Sequence, residues 1–148
     1  MDPVIFLEEV VRPTIADQGA NAGELRHAFN AIATLDTLSA RMFNWCRAHC
    51  ARVDCQDDLS YRNSLAHRSE DFGLVRDLAN GKRRIDITRT PVPQSERQLV
   101  RRASALRTNV HGSPCLVVKL DNGDLRTISD VLAGALDFLE AEMQRRGM

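Results

Sequence analysis

One long apolar periodicity constrains this chain more than any other feature. Leu25, Phe29, Ile32, Leu35, Leu38, Met42, Trp45 and Cys46 recur at steps of three and four. That spacing keeps to one face of an α-helix and runs for about seven turns. A stripe of that length has to be covered, so this is the main core helix of a helical bundle. Trp45 and Phe43 are expected to be core or interface residues rather than a platform for stacked bases.

Other helices flank it. Asp2 followed by Pro3 reads as an N-cap and first helical residue, with Ile5, Phe6, Val10 and Ile15 behind them. Pro13 is expected to kink that helix or end its regular part. Asn21 and Glu24 read as a capping box for the long helix. Asp57, Asp58 and Ser60 mark another start, with Tyr61 to Arg68 as a short helical segment. Ser69 reads as a further cap, followed by Glu70 and Asp71 in a first turn and by the stripe Phe72, Val75, Leu78 and Ala79. Gly81 is the expected stop.

The pattern changes after that. Residues 84–89 alternate like a strand, and Pro91 and Pro93 break the run. Within 94–114, Leu99, Val100, Ala103 and Leu106 allow a short helix or a loop. Cys115 to Leu120 is a β-type run, Asn122-Gly123 is a hairpin signal, and Leu125 to Ile128 is the return strand. Ser129 is expected to cap a last helix through Val131, Leu132, Ala135, Leu136, Phe138, Leu139 and Met143. The expected fold is therefore mainly α: a four- or five-helix bundle with a small antiparallel sheet or hairpin inserted before the C-terminal helix. A chain of 148 residues fits one domain over 1–148, with the bundle at about 2–81 and 129–146 and the β insertion at about 84–128.

Composition narrows the function classes. No apolar run approaches the roughly 20 residues that cross a bilayer, and the acidic N-terminus lacks the basic start of a secretory signal. A cytoplasmic protein with no membrane partner is expected. The formal net charge is zero, which removes the simplest case for a nucleic-acid binder. Eighteen of the 20 basic residues are Arg, however, and eight basic residues fall between Lys82 and Arg107, opposed only by Asp86 and Glu96. That stretch is either a local polyanion patch or a solvated loop. Cys46, Cys50 and Cys55 with His49 lack metal-site spacing and read as buried thiols, so neither a metal nor another cofactor is expected. His27, His49 and His111 read as structural or exposed. No Gly-rich phosphate loop, nucleophile elbow or paired-carboxylate motif occurs.

The segment Tyr61-Arg62-Asn63-Ser64-Leu65-Ala66-His67-Arg68 carries the remaining chemistry. His67 can move a proton near neutral pH, Arg62 can fork onto phosphate oxygens, and Asn63 can orient either. An Arg, a following amide and a His five residues on, set among helices, resemble the signature of the HEPN superfamily. That resemblance spans about the first 80 residues and the last 20. It implies a HEPN-like bundle and a metal-independent endoribonuclease in which the RNA 2′-hydroxyl attacks the neighbouring phosphate, leaving a 2′,3′-cyclic phosphate. It implies Arg62, Asn63 and His67 as the catalytic residues. Arg68, Arg83, Arg84 and Arg89, with the basic stretch through Arg107, are the expected RNA contacts. Toxin–antitoxin or anti-phage systems are the implied setting, with an antitoxin or another protein as partner.

Positions five apart lie about 140° apart around a helix, so Arg62 and His67 do not share a face. Active family members answer this by pairing two copies of the motif, and a homodimer is expected here. A second reading stays open. Some members of the family are non-catalytic dimeric adaptors, and Arg62 could instead pair with Asp57 or Asp58 while His67 ends its helix. Where one variant of the family carries a nucleotidylated Tyr two residues after the His, this chain has Ser69, so control through that Tyr is not expected.

Overall fold

The structure, a computed structural model, describes residues 1–49, 52–89 and 113–148. The expected features at Cys50, Arg97, Arg101, Arg102, Arg107 and His111, and the helix-or-loop segment around Leu99 to Leu106, lie outside them. The described residues are mainly helical and carry a small three-stranded antiparallel sheet.

The chain opens with α1 (Pro3–Phe6), capped by Asp2, whose carboxylate accepts from the Val4 amide at 2.8 Å. A π turn over Leu7–Val11 follows and leads into α2 (Arg12–Ala20). The cause is Pro13: with no amide hydrogen it leaves the Glu9 carbonyl without its α-helical donor, and a wider turn absorbs the mismatch. Thr14 compensates in part, its hydroxyl donating to the Val10 carbonyl at 2.7 Å.

The long helix is α3 (Leu25–Ala48). Ile32, Leu35, Leu38, Met42 and Cys46 are buried along it as the periodicity predicts, but Leu25 and Phe29 are exposed, at 40% and 51%. The expected capping box does not form. Glu24 sits at the N-cap without a side-chain capping bond, and Asn21 instead donates to the Asp17 carbonyl, closing the end of α2. An Asn side chain serves either end of a helix, and the turn between α2 and α3 turns this one backwards.

α4 (Asp58–Arg68) and α5 (Glu70–Ala79) meet at a single residue, Ser69. Its extended backbone ends the first helix, and its hydroxyl accepts from the Phe72 amide at 3.1 Å to begin the second. Asp57 caps α4 through the Ser60 amide at 2.7 Å. α5 stops where Gly81 takes φ of 70°, a left-handed conformation open to glycine at low cost.

The sheet is β1 (Asp86–Thr88), β2 (Cys115–Lys119) and β3 (Leu125–Thr127), in that order, with β2 central. Asp86 stands opposite Val117, and Val117 opposite Thr127. The hairpin turn is longer than the two-residue form that Asn-Gly favours. The Gly123 amide donates to the Leu120 carbonyl at 3.0 Å, and Gly123 takes a positive φ of 91°. Leu116 and Val118 join the bundle core and fix the sheet to the helices.

The last helix, α6 (Ile128–Arg146), is capped by Thr127 and not by Ser129. Thr127 accepts from the Asp130 amide at 3.1 Å, which leaves Ser129 inside the first turn, hydrogen-bonded to the buried Gln18 of α2. α6 packs against α3, α5 and the sheet. Arg126 on β3 ties these layers together by bonding Asp71 on α5 and Asp130 on α6. Asp71 in turn lies against Gly134, where an added Cβ would clash with its carboxylate. Burial pushes the Asp71 carboxyl up, and Arg126 only partly offsets it. No described helix is long and apolar enough to cross a membrane.

Candidate functional site

α4 presents its polar side chains to three different surroundings. Arg62 points at α3. One guanidinium nitrogen donates to Asp36 at 2.9 Å and the other to Asp58, one turn earlier on α4, at 2.7 Å. Asp58 rather than Asp57 takes this role because Asp57 is committed to capping the helix. Asp36 also accepts from Arg76 of α5 at 2.7 Å, and Arg76 reaches the Asn63 side-chain oxygen at 3.5 Å. Arg76 is buried, at 4% exposure. Two arginines thus face two carboxylates in a network that bridges α3, α4 and α5. Charge balances, although the Nε atoms of Arg62 and Arg76 and one Asp58 oxygen are buried without a partner among the described residues.

His67 lies in the last turn of α4 and is exposed. It lines a cavity of about 490 Å³ between α4, α5 and the hairpin. Arg83 lines the same cavity, but so do Glu70, Asp77 and Asp121. Arg83 itself is clamped: it donates to Asp77 at 3.1 Å, to Asp121 at 2.9 Å and to the Lys119 carbonyl at 2.9 Å. It fixes the hairpin to the end of α5. An anion approaching His67 along this cavity therefore meets three carboxylates and one arginine whose charge they already offset.

Arg68 belongs to a third setting. It donates to Glu142 of α6 at 2.9 Å, and Glu142 also accepts from Arg145 and Arg146, at 2.7 to 2.9 Å. Glu142 is 2% exposed. Burial alone would push its carboxyl up, but the hydrogen bonds from Arg145, Arg68 and Arg146 outweigh it and hold the group at about 2. Of the remaining expected RNA contacts, Arg84 is exposed beside Asp86, at 3.1 Å, and Arg89 is exposed just past β1.

The five-residue spacing therefore does what helix geometry requires. The structure brings Arg62 and Asn63 together with Asp36 and Arg76, His67 together with Arg83, and Arg68 together with Glu142. It does not bring Arg62 and His67 to one point within the chain. Sequence reasoning missed Asp36, Arg76, Glu142, Arg145 and Arg146. A signal existed for two of them. Arg76 lies four residues after Phe72 and Glu142 four after Phe138, so each is a charge set on an apolar face.

Among the described residues, no group of three or more His, Cys, Asp or Glu is placed to hold a metal ion. Cys46 is buried in the bundle, where burial pushes its thiol up. Comparison with protein-family models, with curated proteins and with solved structures yields no match to this chain.

Proposed function

We propose that this chain is a non-catalytic, HEPN-like binding module. One observation carries the reading: Arg62, the cation that RNA cleavage would require on the phosphate, is hydrogen-bonded to both Asp36 and Asp58. A phosphate approaching it must displace or sit beside two carboxylates, and the repulsion offsets what the guanidinium would contribute. In this reading Arg62, Asn63 and Arg76 hold the bundle together, and the module acts through its surface on a protein or nucleic-acid partner.

The competing reading is the metal-independent endoribonuclease, favoured by the exposure of His67 beside a cavity large enough for a nucleotide. It requires a second copy, because Arg62 and His67 of one chain lie in separate surroundings. The experiment is RNA cleavage by the purified protein in excess EDTA, with Arg62→Ala and His67→Ala alongside and melting temperatures recorded for all three. The binding-module reading expects intact RNA, a lowered melting temperature for Arg62→Ala and an unchanged one for His67→Ala. Cleavage leaving 2′,3′-cyclic phosphate ends, abolished by His67→Ala without loss of stability, would overturn it in favour of the nuclease.

A further inference from the structure

The third setting on α4 has a property that the other two lack. It carries an excess of positive charge. Arg68, Arg145 and Arg146 converge on the single carboxylate of Glu142. Each guanidinium carries five N–H donors. Arg68 commits one of them to Glu142, and Arg145 two. Arg146 commits one to Glu142 and one to the Arg52 carbonyl, at 2.6 Å. Most donors of the cluster have no protein partner among the described residues.

These donors border a cavity. Arg52, Asp54, Tyr61, Arg68, Arg145 and Arg146 line a space of about 540 Å³ between α4, the end of α6 and the segment before α4. Four arginines face one lining carboxylate and the buried Glu142, so the walls keep a net positive charge. The partial negative charge at the C-terminus of α6 is about half a unit and leaves that sign unchanged.

An independent observation points to a ligand. Tyr61 is 1% exposed and lines this cavity, and its hydroxyl is buried with no hydrogen-bond partner among the described residues. Buried hydroxyls are almost always satisfied, and an unsatisfied one on a residue that lines a polar cavity marks a place where a group from outside can complete the bonding. Cys55 and Ser64, also on the wall, do not serve it: the Ser64 hydroxyl donates to the Tyr61 carbonyl at 2.7 Å, and the Cys55 thiol lies 3.9 Å from Ser64.

We propose that this cavity is a binding site for a phosphate group, held by Arg68, Arg145 and Arg146 with the Tyr61 hydroxyl as an additional donor. Three guanidinium groups suit the several oxygens of a phosphate dianion better than a monovalent anion, because each planar fork takes an oxygen pair. Glu142 then acts as the fixed counter-charge that keeps the arginines converged when no ligand is present. The inference rests on this cavity alone and holds whether or not α4 cleaves RNA.

The test is titration of the full chain with inorganic phosphate and, separately, with a nucleoside 5′-monophosphate, each against chloride at matched ionic strength. Binding is read by calorimetry and by melting temperature. Saturable binding is expected, weakened about tenfold or more by Arg145→Gln, which removes charge-assisted donors. Tyr61→Phe is expected to weaken it about three- to tenfold while leaving the apo melting temperature unchanged or raised, since that variant deletes an unsatisfied hydroxyl and no packing. Tighter binding of the nucleotide assigns the site to a phosphate ester, and tighter binding of inorganic phosphate assigns it to the free ion. Phosphate that behaves like chloride, or binding that neither variant alters, overturns the proposal. The overturning result does not touch the binding-module reading, which is decided by RNA cleavage.

Discussion

The two arginine clusters joined by α4 are built on opposite principles. Around Asp36, two guanidinium groups meet two carboxylates, and three helices are pinned together with no net charge. Around Glu142, three guanidinium groups meet one carboxylate at the edge of an open cavity. The first arrangement is what a fold needs from ions at its core: each is paired, and only Asp58 is more than a fifth exposed. The second holds together but stays positive. The difference teaches that an arginine's role cannot be read from its presence in a motif. It is read from whether the carboxylates around it have already matched its charge.

The largest effect that would break this contrast is at Glu142. Glu142→Gln leaves three guanidinium groups facing one another around a buried neutral amide, and should cost roughly 3–5 kcal/mol in urea unfolding. A loss no larger than a surface substitution's would show that the arginines splay apart freely and that Glu142 does not organise them. Next comes Asp36→Asn, which strips the buried Arg76 and the half-buried Arg62 of a shared partner. About 2–4 kcal/mol is expected, and a double-mutant cycle with Arg62→Gln should show coupling of about 1–3 kcal/mol. Additive effects in that cycle would mean that the pair is not a unit.

Acid acts with opposite signs at Glu142 and at Asp71, which belongs to neither cluster. The Glu142 carboxyl is held at about 2 in the folded protein against an ordinary 4.5. Its contribution is thus complete above pH 4.5 and lost as pH falls towards 2, on the order of 3 kcal/mol in all. Asp71, pushed up by burial despite Arg126, works the other way: it costs stability at neutral pH and that cost disappears as it protonates. Unfolding free energies measured between pH 5 and 2 should therefore fall, with a slope that Glu142→Gln flattens. An unchanged slope in that variant would place the acid sensitivity elsewhere. The smallest effect is expected at Arg145, whose side chain is 57% exposed and whose carboxylate has two other partners. Arg145→Gln should alter stability by less than about 1 kcal/mol by thermal unfolding. A larger loss would make the Glu142 cluster as structural as the Asp36 one and erase the distinction.

Local punctuation was legible in the chain. Asp2 and Ser69 cap the helices that they were expected to cap, Asp57 caps the helix whose start Asp57, Asp58 and Ser60 mark, Gly81 ends α5, and Pro13 disturbs its helix. Three local expectations failed where a neighbouring element competed for the same group. Asn21 serves α2 rather than α3, Thr127 pre-empts Ser129, and Phe29 continues an apolar spacing beyond the surface that its partners cover. Within the candidate site, the Arg62–Asp58 pair was visible as an i, i+4 relation, and the divergence of Arg62 from His67 followed from the helical pitch. The pairing of Arg62 with Asp36, and of Arg68 with Glu142, had no local signature.

Sequence by itself determined the helices, the hairpin and most of their ends, because caps, turns and amphipathic stripes are settled among residues within a few positions of one another. Tertiary structure alone decided which arginines are neutralised and which are left in excess. The carboxylates that do this lie 26 residues from Arg62, 40 from Arg76 and 74 from Arg68. Only the packing of α3, α5 and α6 around α4 brings them within hydrogen-bond reach, and Coulomb interactions act on that distance in space, without regard to distance along the chain.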